Sequence, residues 1–132
     1  MDLLKERIAI IIGASSGVGY GAALRFAQEG AHVIAGAPEM ERLEGLREEV
    51  KKRGFSGTVT PVECNILKEE DMDHIIDVCI NEFGKIDILA CIAQTNLNDT
   101  HSFEDTDIEN VMAFYRGGPG YTFQMIKNAC LI

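Results

Sequence analysis

The sequence lacks the marks of a nucleic-acid, membrane or disulfide-built protein. Lysine and arginine number 12 against 21 acidic residues, a formal charge of −9, and the basic residues never gather into a stripe. Tracking phosphates needs such a cluster, so nucleic acid is not an expected partner. Long apolar runs are missing too: the longest near the start, Ile8 to Ala14, is about 7 residues, where a membrane span needs roughly 20. Asp2 to Arg7 is acidic and of mixed charge, unlike the start of a signal peptide. The expectations are no membrane association and a cytoplasmic location. The 4 cysteines, Cys64, Cys79, Cys91 and Cys130, are widely spaced, without a Cys-x-x-Cys pair or a histidine at ligand spacing. This argues against zinc and disulfides and for reduced thiols in or near a core.

What is present has globular proportions. With 46% hydrophobic and 25% charged residues the chain should fold, and its 132 residues suit one domain, spanning 1–132, that buries roughly two thirds of its unfolded surface.

Along the chain, strand-like and helix-like segments alternate. Arg7 to Ile12 is a β-branched run ending at Gly13, as in a strand buried on both faces. From Gly17 the spacing of Val18, Ala22 and Phe26 turns helical, and Gly30 stops it. His32 to Gly36 reads as a second strand, and Pro38 suits the first turn of a helix carrying Leu43, Leu46 and Val50. Thr58 to Glu63 is a third strand in which Pro61 cannot donate to a ladder, placing it at an edge or strand end. Met72, Ile75, Ile76, Cys79, Ile80 and Phe83 lie on one face of a third helix closed by Gly84. Ile86 to Ala93 is a fourth strand, followed by a polar, loop-like stretch from Gln94 to Asp105. Thr106-Asp-Ile-Glu109 has capping-box spacing for another helix, which Gly117-Gly-Pro-Gly120 should break or kink before a further piece from about Tyr121 to Leu131. This order predicts an α/β fold: a Rossmann-like, partial doubly wound parallel sheet of about four strands with helices on both faces.

The first strand-to-helix junction reads Ile12-Gly13-Ala14-Ser15-Ser16-Gly17-Val18-Gly19. Gly13 permits a tight exit from the strand, Gly17 leaves room for a diphosphate, and Gly19 allows the helix to pack close to the sheet. The helix start then offers N–H groups and a positive dipole end. Alone, such glycines equally suit a bare tight turn. The segment resembles the Thr-Gly-Ala-Ser-Ser-Gly-Ile-Gly signature of the short-chain dehydrogenase/reductase family. The likeness continues through "GAALRFAQEGAHVIAGAPEMERLEGL" and "VECNILKEEDMDHIIDVCINEFGKIDILACIAQ".

The resemblance implies a site for NAD or NADP at Gly13, Ser15, Ser16, Gly17, Val18 and Gly19, at Ala37 after strand two, at Asn65 and Ile66 after strand three, and at Cys91 and Ala93 at the end of strand four. Departures from the family pattern weaken it. The Thr before the first glycine, which ties this loop to the strand-four turn, is Ile12; the Asp near the adenine ring is Asn65; and Asn-Asn-Ala-Gly has become Cys91-Ile92-Ala93-Gln94. Where the family selects its cofactor stand Ala37 and Pro38, which can neither hold ribose hydroxyls nor pair a 2′-phosphate. Ser15 or Ser16 could donate to that phosphate but not neutralise it. Binding is therefore expected to be weak, with no choice between NAD and NADP.

Family members transfer hydride with a Tyr and a Lys four residues later, beside a Ser and an Asn. Here Tyr20, Tyr115 and Tyr121 are followed four residues on by Leu24, Pro119 and Met125. Tyr115 also falls where the family's Asn would be, and the segments bearing its Ser, Tyr and Lys have no counterpart. Cys91 is a nucleophile by position or, more simply, a packing thiol with no His beside it in sequence. His74 should lie on the exposed side of helix three and His32 and His101 at the surface, while Glu39, Glu41, Glu44, Glu48 and Glu49 read as the solvated face of helix two. The expectation is a non-catalytic nucleotide-binding or interaction domain. The alternative is part of an NAD(P)-dependent oxidoreductase for alcohols or carbonyls, completed by another chain or further residues. In the family strand four pairs with a fifth strand, so its apolar run should here form a sheet edge, making a homo-oligomer or a partner chain the further expectation.

Overall fold

The computed structural model describes residues 1–95 and 101–132. Residues 96–100, part of the polar stretch expected after strand four, lie outside the described residues. The elements run β1 (Ile8–Ile12), α1 (Gly17–Gln28), β2 (His32–Ala37), α2 (Met40–Lys52), β3 (Thr58–Glu63), α3 (Glu69–Phe83), β4 (Ile88–Cys91) and α4 (Ile108–Tyr115). A π-helical turn (Arg116–Gly120) then leads into α5 (Tyr121–Cys130). The strands form one parallel sheet in the order β3-β2-β1-β4.

β1 sits between β2 and β4, so both its edges are paired, and with helices on both faces all five residues are buried. Its side chains alternate: Ile8, Ile10 and Ile12 enter a core with Met72, Ile75, Ile76 and Cys79 of α3 and Tyr121 and Met125 of α5. Ile11 enters a second core with Ala23 and Ala27 of α1 and Leu43, Leu46 and Val50 of α2. Burying each such branched side chain contributes about 1.5–3 kcal/mol before entropy is counted. The small alanines of α1 let its backbone approach the sheet, as the three-layer arrangement requires. Among the described residues no helix is long and apolar enough to cross a membrane.

Local chemistry refines several expectations. β3 is an edge strand, as Pro61 requires. Pro38 precedes α2 rather than lying in its first turn, its carbonyl accepting from Met40 N–H at 3.1 Å. β4 is shorter than the apolar run: Asp87 opens the ladder through its N–H to the Ile8 carbonyl (2.8 Å), and Ile92 and Ala93 both donate to Ile12 O (2.9 and 3.0 Å), turning the chain away. The capping box of α4 falls one residue later than its spacing suggested. Asp107 accepts from Asn110 N–H at 2.9 Å, Asn110 accepts from Asp107 N–H at 3.1 Å, and the Thr106 hydroxyl donates to Ser102 O instead.

The glycine–proline segment does not break the last helix. It widens into one π turn, and the backbone stays right-handed helical at Tyr115, Gly120 and Tyr121. A wider turn accommodates a proline that lacks an N–H and whose ring would crowd the carbonyl four residues back. The turn is also clipped to the end of β4. Thr95 N–H donates to Gly117 O at 3.0 Å and the Tyr121 hydroxyl to Ala93 O at 2.5 Å, while Asn128 at the far end of α5 donates to Asp73 of α3 at 2.7 Å. Cys64 and Cys79 are buried and Cys91 partly so, but Cys130 is exposed on α5, outside the core expected for the thiols. His32 is not a plain surface residue: it is half-buried, stacks on Phe83 and lies 2.8 Å from the Thr58 hydroxyl.

Two stability tests follow. Thr95 Oγ1 is buried without a hydrogen-bond partner among the described residues. Thr95→Val should therefore raise stability by about 1 kcal/mol in urea titration, since an unmet buried hydroxyl costs about 1–3 kcal/mol. Asp87 accepts from Ile8 N–H at 2.8 Å and pairs with Lys85 at 3.0 Å and Arg7 at 3.6 Å. The backbone donor first, then Lys85, holds its carboxyl below the ordinary value. A depressed carboxyl lends stability that is fully present above the ordinary carboxylate range and lost as pH falls through the folded value. Asp87→Ala should lower the urea midpoint at neutral pH and flatten its acid dependence.

Candidate functional site

The four parallel strands end on one side, and the order reverses between β1 and β4, where open α/β sheets form their binding crevice. The crevice is built from backbone contacts. Gly13 has φ 93°, and a Cβ there would lie 2.6 Å from Ala93 N. A Cβ on Gly19 would lie 1.9 Å from the Gly13 carbonyl oxygen. The exits of β1 and β4 and the first turn of α1 therefore meet with no side chain between them. Gly13 and Ala14 N–H both donate to Gly36 O, at 2.8 and 3.2 Å, fixing the loop to β2 as well. The Thr expected at Ile12 is not needed as a tie, because the Ile12 carbonyl accepts from both Ile92 and Ala93.

α1 begins without a side-chain cap: Ser16 has an extended backbone at the N-cap, and its hydroxyl bonds no helix N–H. The first N–H groups of the helix thus remain available to an anion. Space above Gly17 is open, with no heavy atom within 4 Å of where its Cβ would stand.

A cleft of about 400 Å³ lies over this junction. Gly13, Ser15, Ser16, Val18 and Gly19 line one side of it. Ala37, Pro38 and Glu39 line it at the end of β2, and Cys64, Asn65 and Ile66 past β3. Ile92, Ala93, Gln94 and Thr95 form its wall past β4. Of the expected site residues, Gly17 and Cys91 do not line it. Cys91 instead packs against the α3/α5 core. Burial pushes its thiol up to about 11, which excludes the thiolate a nucleophile needs at neutral pH. The Asn65 side chain is engaged locally, accepting from Leu67 N–H at 2.9 Å, while Asn65 N–H donates to the Asp71 carboxylate at 2.9 Å.

Sequence reading missed Glu39, Gln94 and Thr95. Glu39 is exposed, as expected of the solvated face of α2, but it stands at the N-cap of that helix and is, among the described residues, the one charged residue lining the cleft. The signal for it was its separation from the motif, since an acidic residue roughly 20 positions past the glycines is where ribose hydroxyls are held. Gln94 and Thr95 carried no such signal, because their distant partners are backbone groups of α4 and of the π turn, Phe114 O and Gly117 O. Tyr121 is buried with its hydroxyl donating to Ala93 O, and burial first, with nearby Cys91 and Cys64, pushes its phenol up to about 12. A wider hollow of about 650 Å³ lies between the start of α3 and the last helices, lined by residues such as Met72, Tyr115 and Phe123. It has no glycine loop, so the smaller cleft is the candidate site. Among the described residues no group of three or more His, Cys, Asp or Glu could hold a metal ion.

Comparison with known proteins agrees with this geometry. The family model for short chain dehydrogenase matches residues 7–127. A 3-oxoacyl-acyl-carrier-protein reductase of Thermotoga maritima is 36% identical over 87 residues, covering 66% of this chain and 35% of that protein. A glucose 1-dehydrogenase of Gluconobacter oxydans is 34% identical over 115 residues, covering 83% of this chain and 42% of that protein. The solved structure of a hydroxysteroid dehydrogenase from Escherichia coli superposes with a TM-score of 0.86 at 23% identity, over 97% of this chain and 52% of that one. The chain thus spans about half the length of that structure and less of the curated relatives. With the family model matched from β1 into α5, the chain belongs to the short-chain dehydrogenase family.

Proposed function

We propose that this chain is a nucleotide-binding domain that carries out no hydride transfer with its own residues. The observation that carries the reading is the uncapped start of α1 facing a cleft whose walls are the ends of all four strands. The family's nicotinamide cofactor supplies a hydride acceptor or donor when bound. The residues here fit its adenosine and diphosphate portion: the N–H groups of α1 with Ser15 and Ser16 would hold the phosphates, and Ala37, Asn65 and Ile66, which line the cleft past β2 and β3, would border the adenosine. A tyrosine and lysine four apart are absent from the sequence. A second reading, part of an alcohol- or carbonyl-directed NAD(P) oxidoreductase, is favoured by the span of about half the length of the solved relative. Sustained turnover of alcohols or carbonyls by the chain with NAD or NADP would replace the first reading with the second.

Binding is the direct test. NAD should bind weakly, with Kd of about tens of micromolar or poorer by calorimetry, because Ile12, Ala37, Cys91, Ile92 and Gln94 stand where the family has polar side chains or glycine. Gly17→Val should weaken it at least about tenfold, since φ is 57° there and the side chain would occupy the open approach to the backbone. Circular dichroism would confirm that this variant still folds. Glu39 favours a ribose hydroxyl over a second phosphate, but it is exposed, so NAD should bind better than NADP by less than about tenfold. Glu39→Arg should reverse that order.

We also infer self-association through β4. Its residues are only half-buried, its outer edge has no neighbouring strand among the described residues, and α4 buries no residue while leaving Ile108, Val111 and Phe114 exposed. An apolar edge of this kind invites pairing with a second strand. Sedimentation at micromolar concentration should show dimers or larger species, reduced by Ile88→Lys. A single monomeric species throughout would reject the inference.

A further inference from the structure

We propose that the cleft is closed at its β4 end, so that it takes a nucleoside diphosphate and leaves the second half of a dinucleotide outside. The proposal rests on the nucleotide-binding reading above and narrows its ligand. In a doubly wound sheet a dinucleotide crosses the switch point, with one half over β2 and β3, the pyrophosphate on α1 and the other half over β4. The first two regions are lined by Ala37, Asn65 and Ile66 and by Ser15 and Ser16. The third is bordered by Gln94 and Thr95.

Gln94 stands where the family's turn has glycine, and its side chain is braced against the last helix. Its Nε2 donates to Thr95 O at 3.3 Å and Phe114 O at 3.4 Å, and its amide atoms lie 2.5–2.7 Å from where a Cβ on Gly118 would stand. Thr95 N–H bonds Gly117 O at 3.0 Å, and the Thr95 hydroxyl lies 1.6 Å from the position of a Cβ on Gly117. The helix backbone therefore abuts the β4 lip directly, and only glycines at 117 and 118 permit it. A side chain added at the lip is matched by side chains absent from the helix. Tyr121, bonded to Ala93 O at 2.5 Å, pins the same lip from below. The cleft volume of about 400 Å³ falls near the bottom of the roughly 300–1,000 Å³ range of small-molecule pockets, suiting one nucleotide better than two.

Calorimetry on the whole chain with ADP, ADP-ribose and NAD tests this. The expected result is that NAD binds less than about fivefold more tightly than ADP, or more weakly, because the nicotinamide half gains no contacts. NAD tighter by about fivefold or more would overturn the closed end while leaving the nucleotide-binding reading intact. Binding of neither ADP nor NAD would overturn both. Gln94→Gly, with Gln94→Ala as a second variant should the first unfold, should open the lip and improve NAD relative to ADP by about fivefold or more. An unchanged ratio in a folded variant would overturn the role assigned to Gln94.

Discussion

The close backbone contact at the end of β1 is the constraint on which the rest of the structure depends. Gly13 touches Ala93 and Gly19 touches Gly13, so two strands and a helix converge with no side chain between them. A methyl group at either glycine would have to displace main chain rather than a flexible side chain, and main chain in a close-packed core has little room to shift. The contact sets how near α1 lies to the sheet, and so where its N–H groups point. It also sets how far β4 runs before turning. Ile12, whose carbonyl serves both Ile92 and Ala93, is the hinge between those two results.

Much of this architecture was legible in the residues. The all-buried run of β1, the helical spacing of α3 and the proline of β3 each reflect a local preference that agrees with the final packing, and so order and topology could be read directly. Legibility fell where the deciding partner was remote. Ile86 and Ala93 look like strand residues, but Asp87 and the doubly accepting Ile12 carbonyl set the ends of β4. Gly117-Gly-Pro-Gly120 looks like a helix breaker, because its propensity says nothing of Gln94 and Thr95 seated against it.

The candidate site divides in the same way. The glycine loop was visible because its chemistry is local: a turn, an approach and a helix start within a few residues. Cys91 was read both as a site residue and as a packing thiol because a strand end has two faces, and the packing of α3 and α5 brings its thiol to the core. Glu39 is solvated, as helix periodicity implied, but periodicity does not show that it precedes the first turn of α2 and borders the cleft.

The clip between the β4 lip and the π turn has an energetic consequence. α4 buries no residue of its own, and Tyr121 and Met125 are the buried residues that α5 contributes. Segments with few buried contacts open ahead of the global transition. Because the same hydrogen bonds hold this last helical unit and form the wall of the cleft, release of the helix and enlargement of the cleft are one event. Any ligand that prefers the walled cleft must then slow amide exchange throughout α5, at a distance from every atom it touches, by the free energy with which it favours the docked helix.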